Sequence, residues 1–259
     1  MTKTGYISYS DSRFNYSYKG FCSIVCGIID MAMEHYLDKG NFNIEISESQ
    51  TLSLFDNISP KTNDVYDVGS WWLERYFSNQ IFHLQYNAHT PANLDNLKIK
   101  NKVYNNILKI KDEYLIKYEN KKLELGIDED TLGIQIRGTD KSEELPEIKL
   151  ETIFTSIDNV EKEKIFVATD DKRYLDSLLD RYKERVIYDS SLKISDNSQA
   201  IHHNCPNRSQ INEEVLSSVY LLSNCSHFLY SFSNVSLLAL IMGIDNFQFI
   251  DYLNKWLVL

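Results

Sequence analysis

A short segment near the middle of the chain places residues of complementary chemistry directly after an apolar run. Residues 132–136 read Leu-Gly-Ile-Gln-Ile, and Arg137, Asp140 and Lys141 follow at once. This pattern predicts a buried strand that passes into a polar loop. In open α/β sheets, the loops at the carboxyl ends of the strands hold the ligand. A cation there favours an anionic ligand, and a carboxylate favours hydroxyl recognition or proton transfer. The alternative is a surface ion pair that only closes the strand.

Two later apolar strands also lead into polar residues. The first is followed by Asp170 and Asp171, and the second by Ser233 and Asn234, where an apolar helix begins. A helix N-terminus binds anions through its backbone N–H groups and its dipole. Arg137 adds a planar fork that matches phosphate oxygens. The three strand ends together favour a nucleoside diphosphate, although Ser233 and the aspartates could also serve only as helix caps.

Composition limits the classes of function. The chain has 259 residues with 43% hydrophobic and 25% charged residues, as in an ordinary globular protein. A formal net charge of -10 argues against a general nucleic-acid binder, which needs a basic face. We find no secretory leader and no apolar run near the ~20 residues of a membrane span, so we expect a cytoplasmic protein. The four cysteines lack the spacing of a zinc site, and we predict no metal.

The hydrophobic periodicity predicts a mixed α/β chain. In the second half, strands alternate with helices, which indicates parallel βαβ units and a doubly wound sheet. No P-loop motif and no GxGxxG motif is present, so neither ATP hydrolysis nor NAD chemistry is supported. We predict strands at 4–9, 42–46, 132–137, 164–169, 185–188 and 227–231, and helices at 24–36, 93–122, 148–160, 172–183, 213–222 and 234–243.

Three segments together resemble the α1,6-fucosyltransferases, a family that includes the bacterial nodulation enzymes and belongs with the O-fucosyltransferases. Residues 134–141, Ile-Gln-Ile-Arg-Gly-Thr-Asp-Lys, resemble the family motif His-Val-Arg-Arg-Thr-Asp-Lys. Residues 166–171 resemble an apolar strand that ends in Ala-Thr-Asp-Asp. Residues 219–235 resemble a Leu-Ser run that leads to Thr-Phe-Ser-Ser-x-Val. Residues 19–23 are similar to the glycine loop of the family's first domain.

The resemblance implies an inverting, metal-independent glycosyltransferase of the GT-B fold, with two Rossmann-like lobes. GDP-fucose, a co-substrate and not a resident cofactor, would bind the C-terminal lobe. Arg137 matches the arginine that holds the donor's β-phosphate and stabilises the departing GDP. Ser233 matches a serine that contacts the phosphate, and Asp140 and Lys141 match the pair beside the reacting sugar.

The chain departs from the family pattern where the base is read. The motif histidine is Gln135, the second arginine is Gly138, and a guanine-reading aspartate falls near Ser218. A UDP- or dTDP-sugar therefore stays open as the donor, and so does a non-catalytic protein that binds a nucleotide or glycan. An inverting reaction needs a general base near the acceptor hydroxyl, and the candidates are Asp140, Glu143 and Glu144.

These arguments define the predicted organisation. Residues 1–126 form an N-terminal lobe on the acceptor side, residues 127–243 form the donor-binding lobe, and residues 244–259 form a tail. Residues 71–77 and 189–211 are the segments where acceptor contacts are expected, although the aromatic cluster at 71–77 also fits core or domain-interface packing. The oligomeric state is not predicted. The catalytic candidates are Arg137, Asp140, Lys141, Glu143 and Glu144. The donor-binding candidates are Gly20, Phe21, Gln135, Arg137, Thr169, Asp170, Asp171, Ser218, Ser231, Phe232, Ser233 and Asn234.

Overall fold

The protein is divided into two compact units, Met1–Ile116 and Lys117–Leu259, in a computed structural model. The sequence predicts a division after residue 126. No helix within the described part of the chain is both long and apolar enough to cross a membrane. The structure describes residues 5–8, 21–23, 25–27, 29, 44–46, 54–57, 64–67, 94–139, 147–196 and 207–254.

The first unit contains a small parallel sheet and a separate antiparallel pair. The sheet has the order β2-β1-β4, and β3 pairs with β5. Residues 21–23, 25–27 and 29 are helical, and Cys22 and Cys26 are buried there. The elements are β1 (Gly5–Ser8), β2 (Ile44–Ile46), β3 (Phe55–Asn57), β4 (Asp64–Asp67), α1 (Leu94–Ile107) and β5 (Leu108–Ile110).

The single helix predicted at 93–122 is wrong. The chain forms α1, then the short strand β5, and then α2 (Asp112–Leu125). Strand β5 pairs with β3, a segment more than fifty positions earlier in the chain. Such a long-range pairing overrides a local helical pattern, because helix propensity is a weak prior against tertiary contacts.

The second unit is built on one five-stranded sheet in which every pair of neighbours is parallel. Its order is β10-β9-β6-β7-β8, so the chain winds from β6 to one side and then returns to the other. This confirms the predicted doubly wound α/β class. Its elements are β6 (Thr131–Ile136), α3 (Leu150–Asp158), β7 (Lys164–Thr169), α4 (Lys172–Tyr182), β8 (Val186–Ile187), α5 (Arg208–Ser223), β9 (His227–Tyr230), α6 (Asn234–Gly243) and β10 (Phe249–Tyr252).

The central strand β6 is buried on both faces. Ile134 and Ile136 belong to a core cluster that also contains residues of α3 and α4. On the opposite face, a Cβ atom at Gly133 would lie 3.0 Å from the Cys225 Sγ and 3.3 Å from Leu222, so glycine admits the close approach of the α5 end. Arg137 follows directly on this strand, which is packed on both faces.

Strand β10 was not predicted from the sequence, which treated residues 244–259 as a tail. It pairs with β9 from Phe249 to Tyr252 and extends the sheet. The strand order reverses between β6 and β9, and a crevice at that switch point is where doubly wound sheets bind ligands.

Candidate functional site

Arg137 lies at the switch point and is held from both sides. Its Nη1 atom lies 2.7 Å from Asp170 Oδ2, after β7, and these side chains are 20% and 13% exposed. Its backbone N–H donates to Ser231 Oγ, after β9, at 2.8 Å. The ends of three neighbouring strands thus meet at one residue, Arg137, as parallel strands in this order should arrange them.

Asp170 organises the loop that follows β6. Its Oδ1 accepts the Gly138 N–H at 2.8 Å, and its Oδ2 accepts the Thr139 hydroxyl at 2.7 Å as well as the Arg137 ion pair. The carboxylate is therefore bound to this loop. Its contacts orient the guanidinium and balance part of its charge.

Asp171 has a different environment from its neighbour. It is 1% exposed and caps α4, since its side chain accepts the Arg173 N–H at 2.9 Å. The Arg173 Nη2 lies 2.6 Å from the same carboxylate, and the Asp171 N–H donates to Thr169 Oγ1 at 3.2 Å. These contacts are those of a helix cap, the alternative that the sequence had left open.

The structure leaves no room at Gly138 for the second arginine of the motif that this segment resembles. A Cβ atom at this position would lie 2.6 Å from the Asp171 Cβ and 2.8 Å from Tyr174 Cε2. The Tyr174 ring is buried, and burial raises the pKa of its hydroxyl to about 12, so it stays neutral near pH 7. The space that an arginine side chain would cross is filled here by the α4 cap and this ring.

The N-terminus of α6 forms the other wall of the site. Ser233 is its N-cap, and the hydroxyl accepts the Ser236 N–H at 3.1 Å. The Phe232 N–H donates to Asn254 Oδ1 at 2.8 Å, and the Phe232 ring stacks on Tyr252 at 5.6 Å. Strand β10 and the residues after it therefore support the loop that begins α6.

Gln135 is buried beneath this loop with 4% of its surface exposed. Its Oε1 atom accepts the hydroxyls of Ser231 at 2.9 Å and Ser233 at 3.2 Å, and lies 2.5 Å from the Ser236 hydroxyl. Ser236 also donates to the Ser231 carbonyl oxygen at 2.6 Å. One amide thus connects the end of β6 with the first turn of α6.

Ser218 lies on α5, and its hydroxyl donates to the Glu214 carbonyl of the same helix at 3.2 Å. Within the described ranges, its hydrogen bonds do not reach the cluster around Arg137. Three residues that hold the site together are not among those predicted from the sequence: Thr139, Ser236 and Asn254. The type of Thr139 and its place between Arg137 and Asp140 could have marked it, whereas the other two gave no local signal.

Several predicted site residues lie outside the described residues: Gly20, Asp140, Lys141, Glu143, Glu144 and the range 71–77. Phe21 belongs to the first unit, where it is buried and its ring stacks on Phe55 at 6.0 Å. In the described ranges, no group of three or more His, Cys, Asp or Glu side chains is placed to hold a metal ion. The predicted roles of all these residues stay predictions.

Comparison with solved structures identifies the fold. A NodZ α-1,6-fucosyltransferase soaked with GDP-fucose is 14% identical, with 93% of each chain covered and a TM-score of 0.54. NodZ from Bradyrhizobium is 15% identical over 92% of each chain, with a TM-score of 0.51. A mutant of Arabidopsis thaliana FUT1 in complex with GDP is 10% identical, covers 97% of this chain and 70% of that chain, and has a TM-score of 0.55.

No protein-family model and no curated protein matches the sequence. The structural likeness extends over more than nine tenths of this chain, so it is a likeness of the whole fold. The chain has the GT-B fold of these fucosyltransferases, which confirms the fold expected from the three sequence segments.

Proposed function

We propose that the protein is a glycosyltransferase that moves a sugar from a nucleoside diphosphate donor to a hydroxyl of a glycan, with fucose as the leading candidate for the sugar. The observation that carries the proposal is the position of Arg137 at the switch point, where its backbone N–H bonds to Ser231, two residues before the N-cap of α6. Support comes from the fold likeness, because the similar structures include complexes with GDP and GDP-fucose.

In the proposed reaction the sugar leaves the donor as the diphosphate accumulates negative charge. Arg137 and the backbone N–H groups at the start of α6 stabilise that charge, in place of a metal ion. The acceptor hydroxyl attacks from the opposite face and inverts the configuration, and it loses its proton to Asp140, Glu143 or Glu144. Lys141 lies beside the reacting sugar in this scheme.

Replacement of Arg137 tests the mechanism. Arg137→Ala removes a preorganised cation from the leaving group, and we expect the turnover of the donor to fall on the order of 10²-fold or more. Arg181→Ala is the matched control, because Arg181 pairs with Asp158 on an exposed helix surface of the same unit. Turnover is measured as release of nucleoside diphosphate from the sugar donor. Unchanged release in Arg137→Ala contradicts the mechanism.

The identity of the donor base has a second candidate, a UDP- or dTDP-sugar. It stays open because Gln135, at the position of the histidine that contacts guanine in the family, has its Oε1 bonded to serine hydroxyls. Thermal stabilisation by GDP, UDP, dTDP and ADP, each with and without Mg²⁺, separates the candidates. A ligand at 100 times its Kd stabilises a fold by roughly 2.7 kcal/mol. A shift with GDP alone and without metal supports GDP-fucose; binding without any donor turnover supports a non-catalytic protein.

A further inference from the structure

We infer that Gln135 is a positioning residue that sets Arg137 and the N-terminus of α6 in register for the donor diphosphate, and does not read the base. The inference rests on the proposed function and deepens it. It assigns the position of the family's base-reading histidine a different task in this chain.

The first argument is the connectivity of the cluster. Ser231 Oγ accepts the Arg137 N–H at 2.8 Å and donates to Gln135 Oε1 at 2.9 Å. The hydroxyl of the α6 N-cap, Ser233, donates to the same oxygen at 3.2 Å. Two groups would contact the diphosphate: Arg137 and the N-terminus of α6. Arg137 is connected to the Gln135 amide through its backbone N–H and Ser231, and α6 is connected to the same amide through its cap, Ser233.

The second argument is burial. Gln135 is 4% exposed, Ser231 is 2% and Ser236 is 0%. Burying a side-chain amide and several hydroxyls is unfavourable unless they bond to one another, so this cluster is held together by its own hydrogen bonds. Ser236 is enclosed completely, which means that it cannot touch any nucleotide. Ser236 can therefore affect nucleotide binding only by positioning the residues that contact the nucleotide.

The experiment measures the Kd values of GDP, UDP and inorganic pyrophosphate by calorimetry for the wild type, Gln135→Met and Ser236→Ala. Each substitution removes hydrogen bonds of the cluster without adding charge. Gln210→Met is the matched control, because Gln210 is exposed on α5 and its side-chain amide donates to Glu214 on the same helix. We expect both cluster variants to bind all three ligands about tenfold more weakly, the factor that corresponds to one net hydrogen bond.

Two features separate positioning from other roles. Equal losses for GDP, UDP and pyrophosphate identify positioning, because pyrophosphate has no base. Partial unfolding would lower the number of binding sites and leave the Kd of the folded fraction unchanged. The double variant should lose less than the sum of the two single losses, because both residues act in one cluster.

Two results overturn the inference. One is a loss for GDP with pyrophosphate unchanged, which would make residue 135 a base reader; the other is unchanged binding in both variants. If Gln135→Met does not fold, Ser236→Ala alone decides between these outcomes. A wild type that binds none of the three ligands overturns the proposed function itself, and is recognised before any variant is made.

Discussion

Placing an alanine at Gly138 tests whether the loop after β6 is set by the cap of α4. The added Cβ would lie 2.6 Å from the Asp171 Cβ, 2.7 Å from its Oδ2 and 2.8 Å from Tyr174 Cε2. Asp171 cannot move aside cheaply, because its carboxylate is 1% exposed and bonded to the backbone and side chain of Arg173. The loop must therefore move instead.

The size of the effect follows from these distances. The nearest contact must open by about 0.8 Å to reach the 3.4 Å of ordinary van der Waals contact. Overpacking of this kind costs about 1–3 kcal/mol. A loss of about 2 kcal/mol lowers Tm by about 4–8 °C in a chain of this size. Because Arg137 precedes the displaced residue, a shift approaching 1 Å should also reduce donor turnover by on the order of 10²-fold.

The assay pairs denaturant unfolding with donor turnover for Gly138→Ala, Gly138→Arg and the control Gly126→Ala. At Gly126 the constraint is conformational, since φ is +66° and the new Cβ would meet only Lys164 Nζ at 3.8 Å. The control should lose about 1–2 kcal/mol and keep its turnover per folded molecule. Gly138→Arg restores the family motif; if that variant has the stability and turnover of the wild type, the steric argument is refuted.

Three further predictions concern single groups in the second unit. Asp170→Asn should lower the free energy of unfolding by about 2–3 kcal/mol, because no orientation of the amide can accept from both Gly138 and the Arg137–Thr139 side; Asp176→Asn, on an exposed pair, should change it by less than about 0.5 kcal/mol. Tyr230→Phe should raise the midpoint of urea unfolding by an amount worth about 1 kcal/mol, because the Tyr230 hydroxyl is buried without a hydrogen-bond partner among the described residues, and a lower midpoint contradicts this. Complete burial raises the pKa of the Cys225 thiol, so we expect iodoacetamide at pH 8 to leave it unalkylated in the native protein and to alkylate it in urea. Mass spectrometry measures the labelling, and alkylation of Cys225 in the native protein would contradict this prediction.

The strands of the second unit could be predicted from the sequence because their residues are apolar on both faces. Runs such as Ile165–Ala168 have no amphipathic alternative, and polar residues mark their ends. Strand β10 lacked this signal: Phe249 is 39% exposed, and the other residues are partly exposed. Strand β5 was hidden inside a helical pattern, because its pairing with β3 depends on a segment far away in the chain.

The site was predictable to the extent that it depends on residue type at a strand end. Arg137, Asp170 and Ser231 could be brought together from the parallel topology alone. The contacts of Gln135 could not, because Ser236 lies 101 positions away and its approach depends on how α6 enters the sheet. Likewise the distinct environments of Asp170 and Asp171 follow from the turn between β7 and α4, and the sequence Asp-Asp does not reveal which carboxylate faces which loop.

The topology explains how one arginine is held in place at the end of β6. Strand β6 has neighbours on both sides, β7 and β9, and each supplies one fixed contact: the Asp170 carboxylate to the side chain and the Ser231 hydroxyl to the backbone. An edge strand could offer only one of these. Electrostatic stabilisation of a leaving group depends on donors that need no reorganisation during the reaction. Under the proposed function, an arginine held at its side chain by Asp170 and at its backbone by Ser231 meets that condition. The three sequence segments that resemble the fucosyltransferases contain the ends of the three adjacent strands that bring these contacts together.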